Sequence, residues 1–163
     1  MGFEIDSKRG VANHYGPRKT NGKFGGQEST CKGIVKSAIW DFDYNGLPSY
    51  GSNGLQFSLP ANATIVSAKL YVDVAFTSTS TTTDLDVGLY TSAGVAIDAD
   101  GLITVAEATQ TAIGTAGNVV TGAGALVGKS IGAAAGEVKV TPSVDDLTAG
   151  AGRLVVEYVY NKD

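Results

Sequence analysis

The sequence predicts an all-β protein, an antiparallel β-sandwich with an extended N-terminal arm. Apolar and polar residues alternate along several short segments, which is the pattern of strands buried on one face. Glycine-rich turns separate these segments, and no long window has the period of an amphipathic helix. Within the sandwich class a jelly roll is the expected topology, with strand order left open by the pattern.

The chain divides into two parts that differ in composition and charge. Residues 1–33 hold six Lys or Arg against three Asp or Glu, whereas residues 34–163 hold six against thirteen. Glycine and polar residues interrupt every short stretch of the first part. We therefore expect residues 1–33 to be a basic arm, ordered only against a partner or neighbouring subunit. Residues 34–163 form a body large enough to bury its own core.

The first half of the body contains four predicted strands, over residues 34–44, 55–59, 65–76 and 85–90. In the first, Trp40, Phe42 and Tyr44 share one face, and Asp41 and Asp43 share the other. The third is the clearest, because alternate residues from Ala68 through Val74 to Phe76 are apolar. Turns at 45–46 and 61–62 and a polar Ser/Thr loop at 77–83 separate the strands.

The second half of the body has a weaker pattern. Residues 94–127 are rich in alanine and glycine without strong periodicity, so we expect a helical turn or two within 106–112 and a turn at 98–101. A short strand at Val138–Val140 and a turn of helix at 143–147 follow. The chain closes with a strand over residues 154–160.

Two motifs resemble ligand-binding loops without completing them. Gly128-Lys129-Ser130 follows a glycine-rich run, but the glycine that a phosphate loop needs five residues earlier is Ala123, and no long helix is expected afterwards. Residues 41–46 match the start of a calcium loop, yet Ser52 stands where a bidentate Glu belongs. The sequence therefore predicts no cofactor and no metal, although Ca²⁺ at Asp41 and Asp43 stays an open alternative.

Catalysis is not expected from this chain. His14 is the only histidine and lies in the arm, so no histidine-assisted nucleophile can be built on the body. Cys31 is alone and cannot form a disulfide within the chain. No apolar run reaches the ~18 residues of a membrane helix, and no signal-peptide segment begins the chain.

The basic arm has three interpretations. It can neutralise nucleic-acid phosphates, dock on an acidic protein surface, or be an inert solvated leader. Docking is favoured, because the acidic body repels nucleic acid and direct nucleic-acid binding is not expected. Arginine and aromatic residues dominate many interfaces. The candidate partner-binding residues are therefore Tyr15, Arg18, Lys19, Lys23 and Phe24.

Several phrases of the chain resemble those of capsid decoration, or cement, proteins of tailed bacteriophages. The phrases are His14-Tyr15-Gly16-Pro17-Arg18-Lys19-Thr20, residues 40–48, residues 59–76, Asp86-Val87-Gly88-Leu89-Tyr90, and residues 98–102. The resemblance implies a β-sandwich that is made in the host cytoplasm and assembles as a homotrimer. It also implies binding to the major capsid protein on the capsid exterior, where the protein bridges capsomers and stabilises the shell.

A second hypothesis is a receptor- or carbohydrate-binding β-sandwich module of a phage tail or fibre. Sugar binding requires exposed aromatic platforms beside carboxylates. Tyr50, Tyr71 and Tyr90 are the candidates, and strand alternation predicts that Tyr71 faces outward.

Overall fold

The structure is a computed structural model that describes residues 12–15, 26–29, 34–47 and 57–160. Almost all of these residues lie in strands or in the turns between them. The elements are β1 (Ala12–Tyr15), β2 (Gly26–Ser29), β3 (Val35–Asp43), a 3-10 turn (Tyr44–Gly46), β4 (Phe57–Leu59), β5 (Ala63–Ser78), β6 (Leu85–Tyr90), β7 (Ala96–Ile103), α1 (Gln110–Ile113), β8 (Val119–Thr121), β9 (Gly136–Pro142) and β10 (Leu147–Tyr160).

The body is a sandwich of two four-stranded antiparallel sheets. Sheet one has the strand order β3-β10-β5-β8 and sheet two has the order β4-β9-β6-β7, while β1 and β2 form a separate antiparallel pair. The pairings nest, since β3 pairs with β10, β4 with β9, β5 with β8 and β6 with β7. Eight strands nested and ordered in this way form a jelly roll. The predicted all-β sandwich is thus confirmed, and the structure supplies its strand order.

One apolar core lies between the two sheets. Sheet one contributes Ile65, Leu70 and Leu154 among others, and sheet two contributes residues such as Leu59 and Val138, all fully buried. A stack of aromatic rings crosses sheet one within this core. The ring centroids of Trp40 and Phe42 are 4.4 Å apart, and those of Phe42 and Phe76 are 5.8 Å apart. Burial of these side chains is the main stabilising term of the body.

Strand β5 departs from simple alternation. Its register with β10 shifts between the Ala151–Val74 and Gly152–Val72 pairs and again near Thr77. The first bulge turns Val74 outward, where it is 55% exposed, and the second returns Phe76 to the core. The prediction that Val74 shares the buried face was therefore wrong.

Other local expectations also need correction. Tyr44 belongs to the exposed 3-10 turn, so it does not extend the Trp40 and Phe42 face. Residues 98–101 lie within strand β7, and residues 143–146 are a bend without helix. The helical turn expected within 106–112 falls at Gln110–Ile113. The Ser/Thr loop ends in buried Thr83, whose hydroxyl donates to Ser78 Oγ at 3.0 Å.

A wide bulge in β7 covers part of the outer surface of sheet two. Val87 pairs with Ile103 and Leu89 pairs with Asp98, so a single residue of β6, Gly88, lies opposite four residues of β7. A Cβ atom on Gly88 would lie 2.1 Å from the carbonyl oxygen of Ala99. The absence of a side chain at residue 88 is what allows the bulge to pack this closely.

Gly88→Ala is expected to destabilise the body by about 1–3 kcal/mol, the usual range for overpacking a site that cannot relax freely. Chemical denaturation of the purified chain measures the change. Gly46→Ala is the control, because its Cβ meets nothing closer than 3.7 Å. Equal stability of the two variants would contradict this account of the bulge.

Candidate interaction surface

The glycine-rich loop after β8 does not form a phosphate cradle. Its backbone amides donate within the body: Leu126 N to Gly101 O at 2.8 Å, Gly128 N to Ile65 O at 2.9 Å, and Lys129 N to Leu126 O at 3.0 Å. Ser130 then forms an isolated β-bridge with Thr64, and no helix follows. The first two amides tie the loop to β7 and β5 and the third closes a turn within it, so none of the three is available to an anion.

The calcium-like segment has structural roles instead. Asp41 Oδ1 accepts from Arg153 Nε, its neighbour across the β3–β10 ladder. Asp43 Oδ1 accepts from Gly46 N at 3.0 Å and caps the 3-10 turn. Across the described part of the chain, no group of three or more His, Cys, Asp or Glu side chains is arranged to hold a metal ion.

The outer surface of sheet two is crowded and charged. The β7 bulge lies over Gly88, and the neighbouring Lys139 is only 4% exposed. The Lys139 Nζ atom is 5.2 Å from the ring centroid of Tyr90, and burial lowers the pKa of this ammonium group. The protein's own chain therefore covers this part of the outer surface of sheet two.

Carboxylates beside this bulge disfavour one another's ionisation. Burial raises the pKa of Asp86, and the nearby charges of Asp100 and Asp84 raise it further. Burial and a hydrogen bond with Asp100 raise the pKa of Asp98. Asp86 Oδ1 is buried and finds no hydrogen-bond partner among the described residues. The cluster is an electrostatic cost that the fold tolerates.

The outer surface of sheet one has no cover among the described residues, and it carries exposed apolar side chains. We call it the sheet-one face; its outward residues are Val35, Ser37, Ile39, Asp41 and Asp43 of β3, Ala151, Arg153, Val155, Glu157 and Val159 of β10, Ser67, Lys69, Tyr71, Asp73 and Val74 of β5, and Val119 and Thr121 of β8. Ile39 is 60% exposed, Val35 is 48% exposed and Val119 is 43% exposed. Ile39 pairs with Val155 and Val35 pairs with Val159, so apolar groups adjoin across two strands. Adjoining exposed apolar groups of this kind mark interaction surfaces.

Polar contacts surround these apolar pairs. Ser67 Oγ donates to Glu157 Oε2 at 2.7 Å, between the two apolar pairs. The Asp41–Arg153 ion pair lies beside Tyr71, and the hydrogen bond and charge of Asp41, together with the charge of Asp73, raise the Arg153 pKa. The sheet-one face thus combines apolar area with charged groups, as protein interfaces do.

The candidate residues of the arm lie mostly outside the described residues. Arg18, Lys19, Lys23 and Phe24 are not described, and Tyr15 ends strand β1, of which only the backbone is described. Their assignment as partner-binding residues stays a prediction. The exposed Ile39 and Val35 were missed as candidates, although the outward direction of Asp41 and Asp43 already implied by alternation that they face solvent.

The tyrosines suggested for sugar binding do not form one platform. Tyr71 faces outward on sheet one, as predicted, whereas Tyr90 faces outward on sheet two. Tyr50 lies outside the described residues. Opposite surfaces of a sandwich cannot contact one sugar together. Within the part of the chain that is described, no helix is long and apolar enough to cross a membrane.

Two solved structures that share this fold are chains from phage capsids. A chain from the capsid of Ralstonia phage GP4 aligns with a TM-score of 0.59 and 24% identity, covering 83% of this chain and 90% of that one. A chain from the capsid asymmetric unit of cyanophage Pam1 aligns with a TM-score of 0.54 and 21% identity, covering 89% of this chain and 98% of that one. No protein-family model and no curated protein sequence matches. The alignments establish a shared fold along most of all three chains.

Asp86→Asn is expected to raise the melting temperature near neutral pH. Because the folded pKa of Asp86 is raised, its contribution to stability is complete below the unfolded pKa of about 3.9 and is lost as pH rises through the folded value. Asparagine abolishes that loss, so the difference from the unmodified chain shrinks as pH falls. Thermal unfolding followed by circular dichroism between about pH 3 and 8 measures it.

Asp145→Asn is the control with the opposite sign. Hydrogen bonds from the Thr79 hydroxyl and the Asp146 amide lower the Asp145 pKa, so its contribution is present at neutral pH and lost on acidification. This variant is expected to melt below the unmodified chain at neutral pH. Shifts of the same sign for both variants would contradict the electrostatic explanation.

Proposed function

We propose that this protein is a virion structural protein, a capsid decoration protein that binds the outer capsid surface and stabilises the shell by bridging capsomers. The alignment of its jelly roll, over more than four-fifths of its length, with chains from two phage capsids carries this proposal. The partner is the major capsid protein, and the site of action is the exterior of a particle assembled in the host cytoplasm.

The chemistry of the body supports a role in binding and not in catalysis. Several of its carboxylates are used in an ion pair, a turn cap and a mutually repelling cluster on sheet two. The sheet-one face offers exposed apolar side chains beside charged ones. Contacts of this kind add buried area between neighbouring capsomers, and this area resists their separation when the packaged genome presses outward.

In this proposal the arm binds the shell. Residues 1–33 carry a net positive charge and the body is acidic, so the arm is attracted to an acidic shell surface that would repel the body. Opposite charges steer the encounter and fix its register. A homotrimeric arrangement would present three arms at once, and linked attachments raise the overall affinity above that of each single arm.

Charge reversal in the arm is expected to weaken binding to particles. In the full chain, Arg18→Glu, Lys19→Glu and Lys23→Glu together should lower the amount that cosediments with purified particles lacking the protein. The loss should shrink as salt rises, because screening weakens the wild-type attraction as well.

The matched control replaces Glu4, Asp6 and Glu28 with lysine, which changes as many charges of the same arm in the opposite direction. This control should bind at least as well as the unmodified chain. Unchanged binding of the charge-reversed variant would contradict the role given to the arm.

The copy number per particle tests the location. A protein that covers the shell is expected at hundreds of copies, in proportion to the major shell protein, because every equivalent junction offers a site. Quantitative mass spectrometry of particles purified from the source virus measures the ratio. A few to a few dozen copies would move the protein to the tail or a vertex, and its absence would overturn the proposal.

A further inference from the structure

Strand β3 leaves one long edge of sheet one open. It pairs with β10 over nine consecutive residues without a register shift, and it contains no proline. In an antiparallel ladder every second residue directs its N–H and C=O groups away from the paired neighbour. Among the described residues, no backbone hydrogen bond reaches those groups from the other side. Such an edge is a template for an added strand.

The side chains of β3 define what that added strand must carry. Val35 and Ile39 are exposed and apolar on the sheet-one face, and Asp41 and Asp43 follow on the same face. Residues directly opposite in an antiparallel pair lie on the same face. The complement therefore needs a cation opposite Asp41 and apolar residues opposite Ile39 and Val35.

Residues 7–15 of the arm meet this requirement in a single register. In this register Arg9 lies opposite Asp41, Val11 opposite Ile39 and Tyr15 opposite Val35. Ser7 lies opposite Asp43, and Asn13 lies opposite Ser37. The register also sets Gly10 opposite the bulky Trp40. A register with Arg18 opposite Asp41 is poorer, because Thr20 then meets Ile39 and Pro17 removes a backbone donor.

The second half of this segment is already a strand. Ala12–Tyr15 is β1, which pairs with β2 on one side only within the described chain. Its other edge has the same unmet backbone groups as the edge of β3. The sequence of residues 7–15 thus complements the nine residues of β3 in length, apolar pattern and charge, and its last four residues already form a strand.

The short connection between β2 and β3 disfavours pairing within one chain. With β1 between them and antiparallel to both, β2 and β3 would run parallel, so their connection would have to cross over β1, and crossovers between parallel strands usually take about a dozen residues. Only five residues, 30–34, separate Ser29 from Val35. We infer that the open edge of β3 binds residues 7–15 of a second copy of this chain as an added antiparallel strand.

The Asp41 carboxylate has two oxygen atoms and can accept hydrogen bonds from two arginines. Its Oδ1 atom accepts from Arg153 of the same chain, and its Oδ2 atom is free to accept from Arg9 of the second copy. Because each copy gives its arm and receives another, the contact closes either as a reciprocal pair or as a ring of copies. The inference concerns contacts between copies, so it holds or fails independently of binding to a shell.

Disulfide trapping tests the inference in the full chain with Cys31→Ser. Copies with Val11→Cys are mixed with copies carrying Ile39→Cys and oxidised, since directly opposite residues lie within disulfide range. The expected result is a dimer linked by a disulfide between positions 11 and 39, identified by mass spectrometry of the joined peptides. Ile39 is 60% exposed, so its replacement leaves the core intact.

Three other outcomes would overturn the inference. The first is that the mixture gives no dimer linked between positions 11 and 39. The second is that Ile39→Cys, oxidised alone, gives a dimer linked through position 39 of both copies. The third is that a chain with both substitutions forms only an intrachain link. Val119→Cys replaces Ile39→Cys in the matched control, because Val119 is exposed on the same face but lies on the opposite edge strand. This control should give no linked dimer.

A charge variant gives a second measure. Arg9→Glu in the Val11→Cys copy is expected to lower the yield of linked dimer several-fold, because glutamate then faces Asp41. Lys129→Glu in the same copy should leave the yield unchanged, since Lys129 is exposed on the body and lies outside the pairing segment. Equal yields from both variants would contradict the assigned register.

Discussion

Pairing of β10 between β3 and β5 is the interaction on which the body depends. β10 is the last strand of the described chain, yet it occupies the middle of sheet one and contacts strands that precede it by about a hundred residues. Closing such long loops costs chain entropy that local contacts cannot offset. The inward side chains of β10, among them Leu154 and Val156, must therefore bury against sheet two for the topology to persist.

The two outer surfaces of the sandwich differ because of one glycine. Gly88 lets the β7 bulge fold back over sheet two, where the chain covers its own strands and buries Lys139. Sheet one has no comparable cover among the described residues, so its face displays isoleucine and valine beside an ion pair. The same sheet ends in the unbroken edge of β3. Among the described residues, apolar area and unpaired backbone groups therefore meet on one side of the molecule, and both proposed contacts of the body use that side.

Alternation made several strands of the sandwich predictable from the sequence. The 34–44, 65–76 and 85–90 segments became β3, β5 and β6, because one face of each is largely buried and the period of two holds over most of each strand. Val74 and residues 98–101 escaped prediction, since bulges shift the period and depend on the partner strand. The candidate arm residues came from charge and residue type alone, whereas the sheet-one face needed strand order, which depends on pairings between residues far apart in sequence.

The aromatic stack makes the single tryptophan an optical reporter. Trp40 is half-buried on the edge strand and stacks on Phe42, which stacks on Phe76 in the core. The fluorescence of its indole therefore responds to both unfolding and assembly. Loss of the core exposes the indole to water, and a strand added at β3 removes it further from water. Red and blue displacements of one emission band would thus distinguish unfolding from assembly, without any label being attached to the chain.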